Sequence, residues 1–194
     1  MFGLKSLFAR SKPIQYSSYV IVLALIVASK LYPDANTATG IKQSNDPSLA
    51  ATVEPTRSIV TTIDRVVDGD TLIAGGISYR IASIDAPEKD QPFGEEATAF
   101  LRGLVSDTQV TIIDRGKDRY GRLIADASIN GISLAELMIE NGFAWSYMVP
   151  TVELENTLSQ LQDKARAGGV GLWADPDPIR PSIYRELKHA ANNQ

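Results

Sequence analysis

Three short segments of this 194-residue chain hold side chains whose types and spacing could do chemistry. Asp68-Gly69-Asp70-Thr71 sets two carboxylates on a turn beside a glycine, where oxygen ligands could meet a hard cation such as calcium. Asp-Gly pairs are also ordinary turn formers with no further role. Ile84-Asp85-Ala86-Pro87-Glu88 ends an apolar run with two acids flanking a proline. The proline restricts Ala86 to extended conformations and can hold Glu88 in a defined direction relative to Asp85; a solvated strand end is the plain alternative. Asp118-Arg119-Tyr120-Gly121-Arg122 lies in the densest basic stretch, 115–122. Arginine's planar, permanently charged fork suits a phosphate better than lysine does, although a charged hairpin loop would have a similar composition.

What is missing narrows the chemistry. There is no cysteine, which removes disulfides, thiolate zinc sites and cysteine nucleophiles. The single histidine, His189, lies near the end, which argues against hydrolases that need a histidine base or several histidine ligands. Hydrolytic chemistry in this chain must therefore rest on carboxylates and arginines. Hydrophobic residues make up 44% and charged residues 22%, the balance of a folded soluble domain, and the length suits one such domain with additions.

The elements that must position these groups are legible from local patterns. The stretch 58–67 is dense in β-branched residues and breaks at Asp68-Gly69-Asp70, so a strand and a turn are expected. Strands over 71–74 and 77–84 around Gly75-Gly76 complete a three-stranded meander. Ala97, Phe100, Leu101 and Leu104 recur at helical spacing and predict an amphipathic helix over 93–105. Two further strands are expected at 110–114 and 123–129. Ser133 and Glu136 form a capping box for a short helix over 134–140, stopped by Asn141-Gly142. Leu154, Leu158, Leu161 and Ala165 mark a last long helix that ends at Gly168-Gly169. Five short strands and about three helices suggest a mainly β fold, a five-stranded barrel of the oligonucleotide-binding type. Strict alternation along 79–85 would point Arg80 and Asp85 to opposite faces, so their convergence requires the strand to curl or bulge.

Taken together and in order, the motifs resemble the staphylococcal nuclease (thermonuclease) family. The resemblance rests on Val66-Val67-Asp68-Gly69-Asp70-Thr71, Tyr79-Arg80-Ile81-Ala82-Ser83-Ile84-Asp85-Ala86-Pro87-Glu88, Phe93-Gly94-Glu95-Glu96-Ala97 and Asp118-Arg119-Tyr120-Gly121-Arg122, with Ala165-Arg166 and Gly171-Leu172-Trp173 near the end. It implies that residues 57–180 form the nuclease domain. It further implies that Asp70 and Asp85 are calcium carboxylates, with the carbonyl of Ala86 where the family has a threonine carbonyl. Glu88 falls on the general base, Arg80 and Arg122 on the two phosphate-binding arginines, and Asp68 on an outer position of the same loop. Tyr147 lies nearest the place of the family's base-stacking tyrosines; Tyr120 and Trp145 are further stacking candidates. The function implied is calcium-dependent hydrolysis of DNA, with RNA as a further substrate, leaving 3′-phosphate ends.

The chemistry is coherent without the resemblance. Attack of water on a phosphodiester builds charge on equatorial oxygens, which a cation and two arginines stabilise more in the transition state than in the ground state. One departure concerns charge: residues 57–194 carry 14 basic and 20 acidic side chains, a net of −6, so nucleic acid must be held by a local patch, bound calcium and stacking. Two other functions compete: a catalytically silent nuclease-like barrel that binds nucleic acid or a protein, and a barrel that holds single strands without cutting. The first has usually lost a site residue, whereas all five are present here.

The flanks read differently. Lys5, Arg10 and Lys12 precede a mostly apolar run over 16–28, a basic region followed by a hydrophobic one. That run is shorter than the roughly 20 residues that span a bilayer comfortably, although Leu31 and Tyr32 could lengthen it with Lys30 snorkelling. A buried core helix is the alternative. No small-x-small cleavage site follows directly, which favours an uncleaved anchor over residues 1–32, touching the membrane through 16–32, above a signal cut to release a secreted or periplasmic enzyme. The basic end then stays in the cytoplasm and the rest is exported. Residues 33–56 are rich in Asn, Thr, Ser, Pro, Ala and Asp and read as a flexible linker. The tail, 181–194, is expected to form a short polar helix with a packing or solvent role; many family members have an aromatic where Ser182 stands. No protein partner is inferred.

Overall fold

The structure is a computed structural model that describes residues 57–192; the expected anchor and linker lie outside the described residues. The β-branched opening segment forms two strands rather than one. Strand β1 (Ser58–Thr61) is separated by Thr62, Ile63 and Asp64 from β2 (Arg65–Asp68). Strand β3 (Thr71–Ala74) pairs antiparallel with β2 on one side and with β4 (Ile77–Ile81) on the other. Gly75 and Gly76, at φ 56° and 74°, make the tight turn between β3 and β4, since a two-residue hairpin loop of this hand needs positive φ at both positions.

Past β4 the chain makes the two-residue strand β5 (Ile84–Asp85) and then helix α1 (Gly94–Val105). Strands β6 (Val110–Lys117) and β7 (Leu123–Ile129) form an antiparallel pair whose register shifts between Asp114 and Gly116. The expected strand at 110–114 thus runs three residues further, and the basic segment 118–122 caps a long β-hairpin. Strand β7 also lies parallel to β4, with Tyr79 opposite Leu123 and Arg80 opposite Ile124. Strand β6 pairs antiparallel with β1.

Strands β1 and β2 are two halves of one bent segment, of which the first half pairs with β6 and the second with β3. Read as one strand, that segment closes the order β3, β4, β7, β6 into a five-membered ring, which fits a barrel of the oligonucleotide-binding type. Two small additions sit beside it. Strand β8 (Ile132–Ser133) pairs antiparallel with the end of β7, and β5 pairs with β9 (Trp145–Ser146) as a separate two-stranded ladder.

Helix α2 (Leu134–Glu140) begins where the capping box predicts, with the Ser133 side chain accepting from the backbone N–H of Glu136 at 3.4 Å. Helix α3 (Val152–Ala167) is capped by Thr151 and stops at the Gly168-Gly169 pair. A single 3₁₀ turn, Gly171–Ala174, leads to α4 (Pro181–Asn192), so four α-helices lie among the described residues. The fourth is the tail, longer than the short helix expected there.

The barrel and helices share one core. Leu72, Ile81 and Ile112 from the strands meet Leu101 of α1, Leu134 and Met138 of α2 and Leu158 of α3, all fully buried. Each such side chain contributes about 1.5–3 kcal/mol by leaving water. Helix α1 is seated against the loop that carries Glu88: a Cβ on Gly94 would lie 1.8 Å from the Glu88 carbonyl oxygen. Gly94→Ala should therefore destabilise the domain by about 1–3 kcal/mol, the usual cost of overpacking. Equilibrium urea unfolding checks this, and an unchanged midpoint would contradict so close an approach.

Candidate active site

The alternation problem along 79–85 is solved by a break in the strand. Strand β4 stops at Ile81, Ala82 and Ser83 form a turn, and β5 restarts at Ile84. Ser83 sits at φ 66° and Phe93, at the far end of the same segment, at φ 67°. A non-glycine residue in that region costs about 1–3 kcal/mol and persists only where packing enforces it. The turn reverses the facing of the chain, so that Arg80 and Asp85 meet instead of diverging.

Arg80 is the centre of the resulting cluster. Its Nη1 donates to Asp70 Oδ2, while Nη2 donates to Asp85 Oδ1 at 3.0 Å and to the Ile84 carbonyl at 3.1 Å. Both carboxylates are buried, Asp70 at 5% exposure and Asp85 at 4%. Burial works to lower the affinity of Arg80 for its proton, but Asp70 and Asp85 outweigh it and hold the guanidinium above its ordinary range. Burial pushes Asp85 up, against the opposing pull of Arg185 and Arg80. Asp68, in the turn before Asp70, is pushed up to about 6 by burial and then by the charge of Asp70.

The Asp68-Gly69-Asp70 turn packs directly on the second acidic segment. A Cβ on Gly69 would stand 2.6 Å from the Ala86 Cβ, so only glycine allows this approach. The Ala86 N–H points at Asp70 Oδ2, at 3.3 Å, which brings the backbone of Ala86 beside that carboxylate.

Arg122 enters from the β6–β7 hairpin. Its Nη1 reaches Thr71 Oγ1 at 3.4 Å, and the Thr71 hydroxyl donates to Asp70 Oδ1 at 3.0 Å. Asp118 aims Arg122 by accepting from its Nε at 2.7 Å and from its backbone N–H at 3.0 Å. Burial works against the ionised Asp118, but the hydrogen bonds from Arg122 and Tyr120 prevail and hold its carboxyl below the usual range. The loop is therefore an organised arginine mount rather than a solvated charge run.

Glu88 is reached from an unexpected side. Its carboxylate pairs at 2.5 Å with Nη1 of Arg185 in α4, whose Nη2 lies 3.5 Å from Asp85 Oδ2. The tail, expected to have a packing or solvent role, brings a third arginine beside the candidate site. No motif marks Arg185, because the contact joins residues 97 apart in sequence.

The stacking candidates separate. Tyr120 is exposed, with the Arg119 and Arg122 guanidiniums 4.9 and 5.8 Å from its ring centre. Tyr147 is exposed too, and its N–H donates to the Ser83 carbonyl at 3.0 Å, beside the turn that aligns Arg80 with Asp85. Trp145 is 3% exposed and packs edge-on against Trp173, so it is a core residue and not a stacking surface.

Residues 78–175, half of the chain, match the family described as Staphylococcal nuclease homologue, a span that holds Arg80, Asp85, Glu88 and Arg122. The chain belongs to the staphylococcal nuclease family. Relatives of this nuclease carry matching names. It is 38% identical over 126 residues to an uncharacterized endonuclease of Haemophilus influenzae, covering 62% of this chain and 70% of that one. It is 36% identical over 129 residues to an uncharacterized endonuclease of Escherichia coli, covering 64% and 83%. A staphylococcal-like nuclease of Arabidopsis thaliana is 32% identical over 123 residues, covering 63% of this chain and 38% of the plant protein. The fold and the ordered motifs thus sit in a nuclease hydrolase, as the sequence resemblance implies.

Because Asp118 holds Arg122 by two bonds, Asp118→Ala should lower nuclease activity about 10-fold or more through loss of orientation. The unfolding midpoint should stay close to parental, since the loop is at the surface. Activity on labelled oligonucleotide, paired with thermal unfolding, checks both; parental activity would show that Arg122 needs no mount.

Proposed function

We propose that this nuclease is a calcium-dependent phosphodiesterase that hydrolyses DNA, and RNA as a second substrate, leaving 3′-phosphate ends as its family does. The observation that carries the reading is the pair of buried carboxylates, Asp70 and Asp85, held on a single guanidinium. Among the described residues no group of three or more His, Asp or Glu side chains gathers as a ready metal cage. Calcium takes about six to eight oxygens in a flexible shell, of which two carboxylates and a neighbouring carbonyl supply part and waters can supply the rest.

Asp70, Asp85 and the carbonyl of Ala86 would hold the ion, which when bound supplies Lewis-acid stabilisation of the phosphoryl oxygens. The chain's own residues do the rest. Arg80 and Arg122 direct permanent positive charge at the phosphate, where negative charge grows as water attacks. Glu88 accepts the proton of that water, the bond from phosphorus to the 5′ oxygen breaks, and the leaving oxygen takes up a proton. Tyr120, beside Arg122, and Tyr147 offer exposed rings for base stacking.

We further propose that residues 16–32 tether the enzyme to a membrane with the nuclease domain outside the cytoplasm, on the basic residues before the apolar run. The described helices include none long and apolar enough to cross a membrane. Protease added to intact spheroplasts that express the full chain should digest the domain. Complete protection until lysis would place the enzyme on the other side.

The test of the metal assignment is digestion of single- and double-stranded DNA across a calcium titration by the parent, Asp70→Asn and Asp85→Asn. Each variant should need about tenfold more calcium, or higher, for half-maximal activity, because affinity follows ligand charge. Activity should return in part at high calcium. Parental cutting by both variants at micromolar calcium would remove these residues from the metal site.

A further inference from the structure

Helix α4 meets the domain in an unusual way. Within the helix only Pro181 is buried, while Ile183 and Leu187 are 48% and 56% exposed. Three of its polar side chains, those of Tyr184, Arg185 and Lys188, instead contact a single loop. Arg185 pairs with Glu88, Lys188 Nζ lies 2.5 Å from Asp90 Oδ2, and the Tyr184 hydroxyl donates to the Asp90 carbonyl at 2.9 Å. Just before the helix, Nε2 of the buried Gln91 donates to the Ile179 carbonyl at 2.6 Å, while Oε1 of the same side chain accepts from the Glu88 N–H at 3.1 Å. Hydrophobic burial does not explain this seat. The polar contacts do, and they converge on the loop that carries the base.

We propose that Arg185 is a positioning residue for hydrolysis, fixing the carboxylate of Glu88 while Tyr184 and Gln91 fasten the loop backbone beneath it and Lys188 pairs with the Asp90 side chain. The proposal rests on the assignment of Glu88 as the base. A glutamate on an exposed loop samples many rotamers, and only those that aim at the attacking water are productive. The guanidinium fork restricts that choice from one side, with its second nitrogen near Asp85, so the base and a metal-binding carboxylate are held in one frame. Arg185 acts on the reaction through Glu88, not on the phosphate.

Single-turnover and steady-state kinetics on the full chain test this. Arg185→Ala should lower kcat on the order of 10- to 100-fold, the effect of a misplaced catalytic group, with little change in KM. Arg185→Lys should restore part of the loss, and so should low millimolar guanidinium added to Arg185→Ala. Glu88→Gln should be slow by itself, insensitive to guanidinium, and no slower when combined with Arg185→Ala. Parental kcat in Arg185→Ala beside a slow Glu88→Gln would overturn the role of Arg185 and leave the base assignment standing. Parental kcat in Glu88→Gln would remove the base assignment, and this proposal with it. A faster Arg185→Ala would show a restraint on the base, the opposite of positioning. A loss restored by neither lysine nor guanidinium, and matched by a lower unfolding midpoint, would reduce α4 to a structural brace.

Discussion

Asp70 and Asp85 are almost wholly withdrawn from water, and two carboxylates in that state repel each other and lose their hydration unless a cation lies between them. At a separation of about 4 Å, two such charges interact with about 4 kcal/mol at the effective dielectric typical of protein sites. Arg80 answers both. Much of the local architecture serves that one arrangement. Strand β4 must end at Ile81 for the guanidinium to turn back, Ser83 must take a left-handed conformation, and Gly69 must lack a side chain for the two acidic segments to touch. The cost of the strained turn is covered by the parallel ladder of β4 on β7 and by the fully buried Ile81 and Ile84 on either side of it.

From this pair a continuous line of polar contacts runs outward in both directions. On one side it passes through Thr71 to Arg122 and Asp118, and on the other through Asp85 to Arg185 and Glu88. Guanidiniums and carboxylates alternate along it, so the charges are compensated locally although the region 57–194 is net −6. That distinction matters for a polyanionic substrate. At physiological salt, exposed charges beyond about 8 Å are largely screened, whereas groups inside the site are not. The exposed acidic remainder is therefore largely screened from a polyanion beyond that distance.

Local signals in the sequence carried a good deal of this structure. Ser133 and Glu136 located the start of α2, Gly75-Gly76 located a hairpin, and the spacing of Ala97, Leu101 and Leu104 located α1 to within one residue. Each works because the physics that produces it acts over a few neighbouring residues. The division of 58–68 into two strands was not legible, since β-branched residues favour extension on both sides of the bend and only the distant partners β6 and β3 require it. The site was legible in part for the same reason. Asp70, Arg80, Asp85 and Arg122 stood out as types in motifs, and the need for a bend between Arg80 and Asp85 followed from alternation alone. Arg185 gave no sign: it is one arginine on a polar helix until the chain is folded. Trp145 could not be assigned either, because an indole serves equally well in a core or against a base.

The links from α4 to the Glu88 loop join residues 94 and 97 positions apart, and the link from the Gln91 side chain to Ile179 spans 88. Contacts so remote in sequence must close a long loop, a cost that falls once the barrel has brought their surroundings into place. As the polypeptide is synthesised, the five strands emerge while Tyr184, Arg185 and Lys188 have yet to do so. Synthesis therefore delivers the strands of the barrel before the α4 side chains that contact the Glu88 loop. If Arg185 positions Glu88 as proposed, an emerging chain with a closed barrel would still lack that restraint until α4 follows.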